Sequence, residues 1–218
     1  GGHAMSDRLQ EALKYKYIYV PRSKDRDTLQ LGKQLGLAVA RGHRARVTVL
    51  SVQKSGATHH SELANQTIVS ERSGHVEDGG VVLVWCPRHK TMEKLHHLEK
   101  SVVVLVEWIP GQMEAWAKLN GAYNAVTGEV MESRLDEETI ELLDGIVAEG
   151  YNGWTKSTDV KMTKSYLEDL SKAGGYDRDL VLAYARQEKH EASIERLAKI
   201  LDEFERTLPS TEAPRRLV

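Results

Sequence analysis

The pattern of apolar and polar positions changes character near residue 135. Before it, short apolar runs alternate with amphipathic stretches. After it, apolar residues recur only at helical spacing. Tyr17–Val20, Val47–Val52, Thr67–Ser70, Val81–Cys86 and Val102–Val106 read as strands. The last two are nearly continuous apolar sequence, the mark of strands covered on both faces. Between the runs, Leu9, Ala12 and Leu13 predict a short helix over 6–14. Leu31, Leu35, Ala38 and Val39 predict one that runs to about Arg41, with Asp25 or Asp27 as N-cap and Gly42 as C-cap. Gly32 and Gly36 weaken that helix unless its backbone approaches the sheet closely.

Further on, Met92, Leu95 and Leu98 predict a helix over 89–99, and Met113, Trp116 and Ala117 one over 112–124. Residues 53–80 are the least regular stretch, with a short helix expected around Glu62–Gln66. Beyond Leu135, helices are expected at about 136–149, 159–173, 177–187 and 190–206. Gly150, Gly174 and Gly175 mark the breaks, and Trp154 plugs the core of the bundle.

Strands alternating with helices predict a βαβ architecture. The expected fold is a three-layer, Rossmann-like α/β domain over residues 6–130, with a mainly parallel sheet of about five strands. An all-helical subdomain is expected over 135–208. Residues 1–5 read as a tag remnant and start methionine, and 209–218 as a disordered tail.

Composition narrows the function classes. A formal net charge of −2 argues against a surface built throughout for nucleic acid, while allowing a local basic patch. A single cysteine, Cys86, excludes an internal disulfide and a multi-cysteine zinc site. No stretch approaches the length of a membrane span, so a cytoplasmic protein is expected.

The strongest chemical signal is a repeat. Pro21-Arg22-Ser23-Lys24 follows the first strand, and Pro87-Arg88-His89-Lys90 follows the fourth. In a doubly wound sheet these strands are expected to be neighbours, so that both turns border one crevice at the C-terminal edge, with Lys54 beside them. Arg22, Ser23, Lys24, Lys54, Arg88, His89 and Lys90 are therefore the candidate ligand-binding residues. They suit phosphate, because arginine offers a bidentate fork and lysine a point charge. Asp25 and Asp27 partly neutralise the first turn.

Cys86, His89 and Glu107 are weaker candidates for catalysis. Cys86 and His89 share a turn where a thiolate and a base could meet, though a cysteine ending a buried strand is usually just packed. Glu107 ends the last strand and is expected to pair with Arg88. The histidine pairs His59-His60 and His96-His97 are poorly spaced for a metal, and neither a metal site nor a cofactor is expected. No P-loop and no G-x-G-x-x-G is present. The phrase Val82–Lys90 resembles the strand-to-helix step in the second lobe of helicases, over that short piece only and without the ATPase motifs, and it assigns no family.

Residues 163–187 have helix-turn-helix length, but Asp177 and Asp179 at the start of the second helix would repel phosphates. A three-helix bundle packing on the main domain, or pairing of two chains through the helix over 190–206, is expected instead. The expected function is binding of a nucleotide, a phosphorylated metabolite or a nucleic-acid backbone at the sheet edge. The alternatives are an enzyme acting on such a substrate there, and a non-catalytic interaction module that works through the C-terminal helices.

Overall fold

The structure, a computed structural model, describes residues 2–209, with side chains from residue 5 onward. The chain divides into two compact units, Gly1–Ser133 and Arg134–Val218.

The first unit is a three-layer α/β domain with a six-stranded parallel sheet, one strand more than the apolar runs predict. Its strands are β1 (Tyr17–Val20), β2 (Val47–Ser51), β3 (Thr67–Ser70), β4 (Val81–Trp85), β5 (Val102–Val106) and β6 (Tyr123–Asn124), in the order β3-β2-β4-β5-β1-β6. β5 therefore separates β4 from β1, pairing Val84 with Leu105 and Leu105 with Tyr19. The expected adjacency of the first and fourth strands does not occur. Unlike the order usual for dinucleotide-binding sheets, β1 lies between β5 and β6.

The helices are α1 (Gly2–Ala12), α2 (Thr28–His43), α3 (Lys54–Thr58), α4 (Ser61–Ala64) and α5 (Glu114–Leu119). A 3₁₀ turn, His89–Leu95, replaces the helix expected over 89–99. Strand residues alternate between the two faces. Ile18, Val20, Val49, Leu83, Val104 and Val106 pack with α1 to α4, while Tyr19, Leu50, Val84, Val103 and Leu105 pack with α5 and the 3₁₀ turn. Right-handed crossovers explain this split. The steps from β1 to β2 and from β2 to β3 run toward one edge, and those from β4 to β5 and from β5 to β6 run toward the other, so their helices fall on opposite faces.

Two details show why local signals were met or displaced. A Cβ at Gly32 would lie 2.5 Å from Val106, and one at Gly36 2.8 Å from Leu83, so both glycines let α2 lie directly on β5 and β4. Gly42 serves close packing as well, against Leu13 just past α1. The C-cap moves to Arg44, at φ 53°. At the other end Asp27 is the N-cap, accepting from the Gln30 N–H at 3.0 Å.

The second unit contains α6 (Glu137–Glu149), α7 (Ser157–Lys172), α8 (Arg178–Arg186) and α9 (Glu191–Thr207). Leu143, Ile146, Leu167, Leu170, Val181, Leu197, Leu201 and Phe204 form its core. Trp154 is buried there, its indole N–H donating to the Ile146 carbonyl at 3.2 Å. The apolar stripe of α9, with Ile194, Leu197, Leu201 and Phe204, is used inside this core. Arg178 pairs with Asp202 and Glu205, and Arg186 with Glu191, so both basic residues of the helix-turn-helix reading are held within the bundle. No helix among the described residues is long and apolar enough to cross a membrane. The tail expected to be disordered lies, from residue 210, outside the described residues.

Candidate functional site

All six strands point the same way, so the segments that follow them share one edge of the sheet. Along this edge β2 and β4, and likewise β5 and β1, are neighbouring strands that send their connections to opposite faces. Open α/β sheets bind ligands at such switch points. The two Pro-Arg-x-Lys turns occupy one each. With β5 between them, their strands are roughly 10 Å apart, two strand spacings.

At the β2/β4 switch point Arg88 is already paired. Its guanidinium grips Glu71, just past β3, through Nη2 to Oε1 at 2.6 Å and Nε to Oε2 at 2.9 Å. The Thr91 hydroxyl donates to Glu71 Oε2 at 2.7 Å. These contacts, led by the Arg88 hydrogen bonds, hold the Glu71 carboxyl below the ordinary carboxylate value, with a smaller contribution from the charge of Lys90. The expected Arg88–Glu107 pair is therefore replaced by Arg88–Glu71. Lys54 opens α3 after β2 and has no hydrogen-bond or ion-pair partner among the described residues. His89 begins the 3₁₀ turn.

The β5/β1 switch point is built around Glu107, which is fully buried. Its Oε1 accepts from the backbone N–H of Arg22 at 3.1 Å and of Gly111 at 2.9 Å. Its Oε2 accepts from the Met113 N–H at 3.0 Å and the Tyr19 hydroxyl at 2.5 Å. Burial first, and then this bond to Glu107, push the Tyr19 phenol far above its ordinary value, so it remains a donor. One carboxylate thus fastens the β1 turn to the loop after β5. A buried carboxylate is tolerated because each oxygen accepts two hydrogen bonds.

What this clasp leaves available is the Arg22 side chain. Its guanidinium lies over the Trp108 ring, 4.5 Å from the centroid. Its Nη1 is buried and has no hydrogen-bond partner. Trp108 and Ile109 are half exposed. Ser23 serves the turn itself, its hydroxyl accepting from the Asp25 N–H at 3.2 Å. Lys24 is exposed and has no hydrogen-bond or ion-pair partner among the described residues.

Cys86 follows β4 and immediately precedes the second turn, with its N–H donating to the Val106 carbonyl. Its backbone is left-handed, at φ 48°. Burial pushes its thiol up to about 12, against a smaller lowering by the charge of Arg22. A thiol held there is protonated at neutral pH, which is the reverse of an activated nucleophile.

One ionic cluster escaped the sequence reading. Lys33 of α2 is 8% exposed, and its Nζ lies 3.2 Å from His60 Nδ1 and 3.3 Å from Glu62. The His60 ring meets Trp85 edge-on at 4.9 Å. Burial, and then the Lys33 charge, lower the His60 pKa, so the neutral ring can accept from the ammonium. The signal was available: Lys33 falls on the apolar stripe of α2 with Leu29, Gly36 and Ala40. Among the described residues no group of three or more His, Cys, Asp or Glu could hold a metal ion.

Comparison with protein-family models, with curated proteins and with solved structures finds no match.

Proposed function

We propose that the protein binds a phosphate-bearing ligand at the C-terminal edge of its sheet, at the β5/β1 switch point, with Arg22 as the principal contact and Lys24 beside it. The observation that carries this reading is the state of Arg22. A charged guanidinium with a buried, unpartnered Nη1 is costly, by about 1–3 kcal/mol for a lost hydrogen bond, and a small movement of this half-buried side chain would let an incoming anion relieve it. Glu107 fixes the main chain beneath it, so little ordering is left for the ligand to impose. The unit itself is mildly basic, with 17 Lys and Arg against 14 Asp and Glu up to Ser133, whereas the helical unit has 13 against 18.

Titration with sodium tripolyphosphate, ATP and a single-stranded oligonucleotide, each over a salt series, tests the reading. Binding is expected to weaken as salt rises. Arg22→Ala should lower affinity at least tenfold, and Arg88→Ala less than about twofold, since that arginine already has its carboxylate. No binding at low salt, or equal losses in the two variants, would sink the proposal.

A further inference from the structure

Trp108 is used by neither the core nor the clasp, although Glu107 beside it is the centre of the clasp. It is 52% exposed and Ile109 is 51% exposed, whereas Trp85, at the end of the adjoining β4, is 3% exposed. Single exposed apolar residues are ordinary, but this one is held in place. The loop that carries it is tied at Glu107 by the N–H groups of Gly111 and Met113, and one side of its indole is covered by the Arg22 guanidinium at 4.5 Å. The result is a fixed flat ring, half open to a ligand, beside a cation that lacks a partner for Nη1. An anion alone would use the cation and leave the ring idle. A ligand with both a flat π system and a phosphate a few ångströms away would use both.

We propose that Trp108 is a stacking platform for a nucleobase whose phosphate is taken by Arg22, so that the ligand is a nucleotide, either free or as part of a single strand. This rests on the anion-binding reading above and adds the base to it. Stacking on an aromatic side chain is tolerant of base identity, so little preference among bases is expected. A duplex hides its base faces and should bind more weakly than a single strand of the same length.

The test compares ligands with and without a base on the full chain. For ATP and for a ten-nucleotide single strand, Trp108→Ala is expected to lower affinity about tenfold and Trp108→Phe no more than about threefold. Tripolyphosphate should bind both variants like the parent chain. Thermal melts check that the variants fold, which the exposure of Trp108 favours. ATP binding as tightly as the oligonucleotide supports the proposal with a free nucleotide as ligand. Tighter oligonucleotide binding with a steeper salt slope supports it with a single strand. If Trp108→Ala leaves the base-bearing ligands unaffected, or weakens tripolyphosphate equally, the stacking proposal is overturned while anion binding stands. If nothing binds, tripolyphosphate included, both fall.

Discussion

Arg22 and Arg88 stand at the same place in the same tetrapeptide, and each has a buried or nearly buried carboxylate close by. Glu71 takes the guanidinium of Arg88, in a pair closed at 2.6 Å. Glu107 takes the backbone N–H of Arg22 instead, because two more N–H groups and the Tyr19 hydroxyl fill its oxygens. The second turn therefore has a neutralised cation. The first has a fastened main chain and a cation left to lie on Trp108. What a basic turn can bind is decided less by its own four residues than by which atoms the neighbouring carboxylate engages.

The largest expected break in this comparison is at Glu107. Replacing it with alanine leaves three backbone N–H groups and the Tyr19 hydroxyl without their acceptor. With each buried unmet group costing about 1–3 kcal/mol and partial relaxation allowed, a loss of about 3–5 kcal/mol is expected. Urea unfolding checks it. Glu71→Ala, which frees an arginine that can reach water, should cost a small fraction of that. Similar losses for the two variants would mean that the two carboxylates play the same role, and the contrast would be lost.

That contrast was only partly legible in the sequence. The five strands longer than two residues were readable from their apolar runs, and the close approach of α2 from Gly32 and Gly36. β6 was not: a two-residue strand after the φ 60° turn at Gly121 has no periodicity to detect, and Tyr123 and Asn124 fell inside the expected helix. Strand order was also hidden. Nothing local to Tyr17–Val20 or Val81–Trp85 records that β5 comes between them, because that depends on crossovers spanning the domain. Glu71 was overlooked for the same reason, since it meets Arg88 only through the order β3-β2-β4. Trp108 drew no notice in the sequence, because the pattern around Val102–Val106 does not show which nearby apolar residue stands in solvent.

A smaller effect sharpens the comparison from the other side. Glu71→Gln should release Arg88 and make the second turn resemble the first, raising affinity for tripolyphosphate about threefold; adding Arg88→Ala should abolish the gain. Acidification works in the same direction. The Glu71 carboxyl is held low by Arg88, so its contribution to stability is complete above the ordinary carboxylate value and is lost as pH falls below it. Unchanged affinity in Glu71→Gln would show that a released arginine is not sufficient, and that the first turn owes its character to Trp108 rather than to an unpaired cation.

The smallest effect asks whether the two turns sense each other across β5. Cys86 immediately precedes the second turn, yet its thiol feels the charge of Arg22 in the first. With that thiol pushed up to about 12, alkylation by iodoacetamide should rise about tenfold per pH unit from pH 8 to pH 10, with no plateau near 9. The sign for stability follows. The folded chain holds this proton at pH values where the unfolded chain has lost it, so the contribution is complete below about 9 and declines as pH rises toward 12. Because the Arg22 charge lowers the thiol pKa, Arg22→Met should raise it further and slow labelling at fixed pH about twofold. Faster labelling would mean that the guanidinium shields Cys86 more than it polarises it. The first turn would then reach the second through packing rather than through its field, and an anion bound at Arg22 would leave the thiol's acidity unaffected.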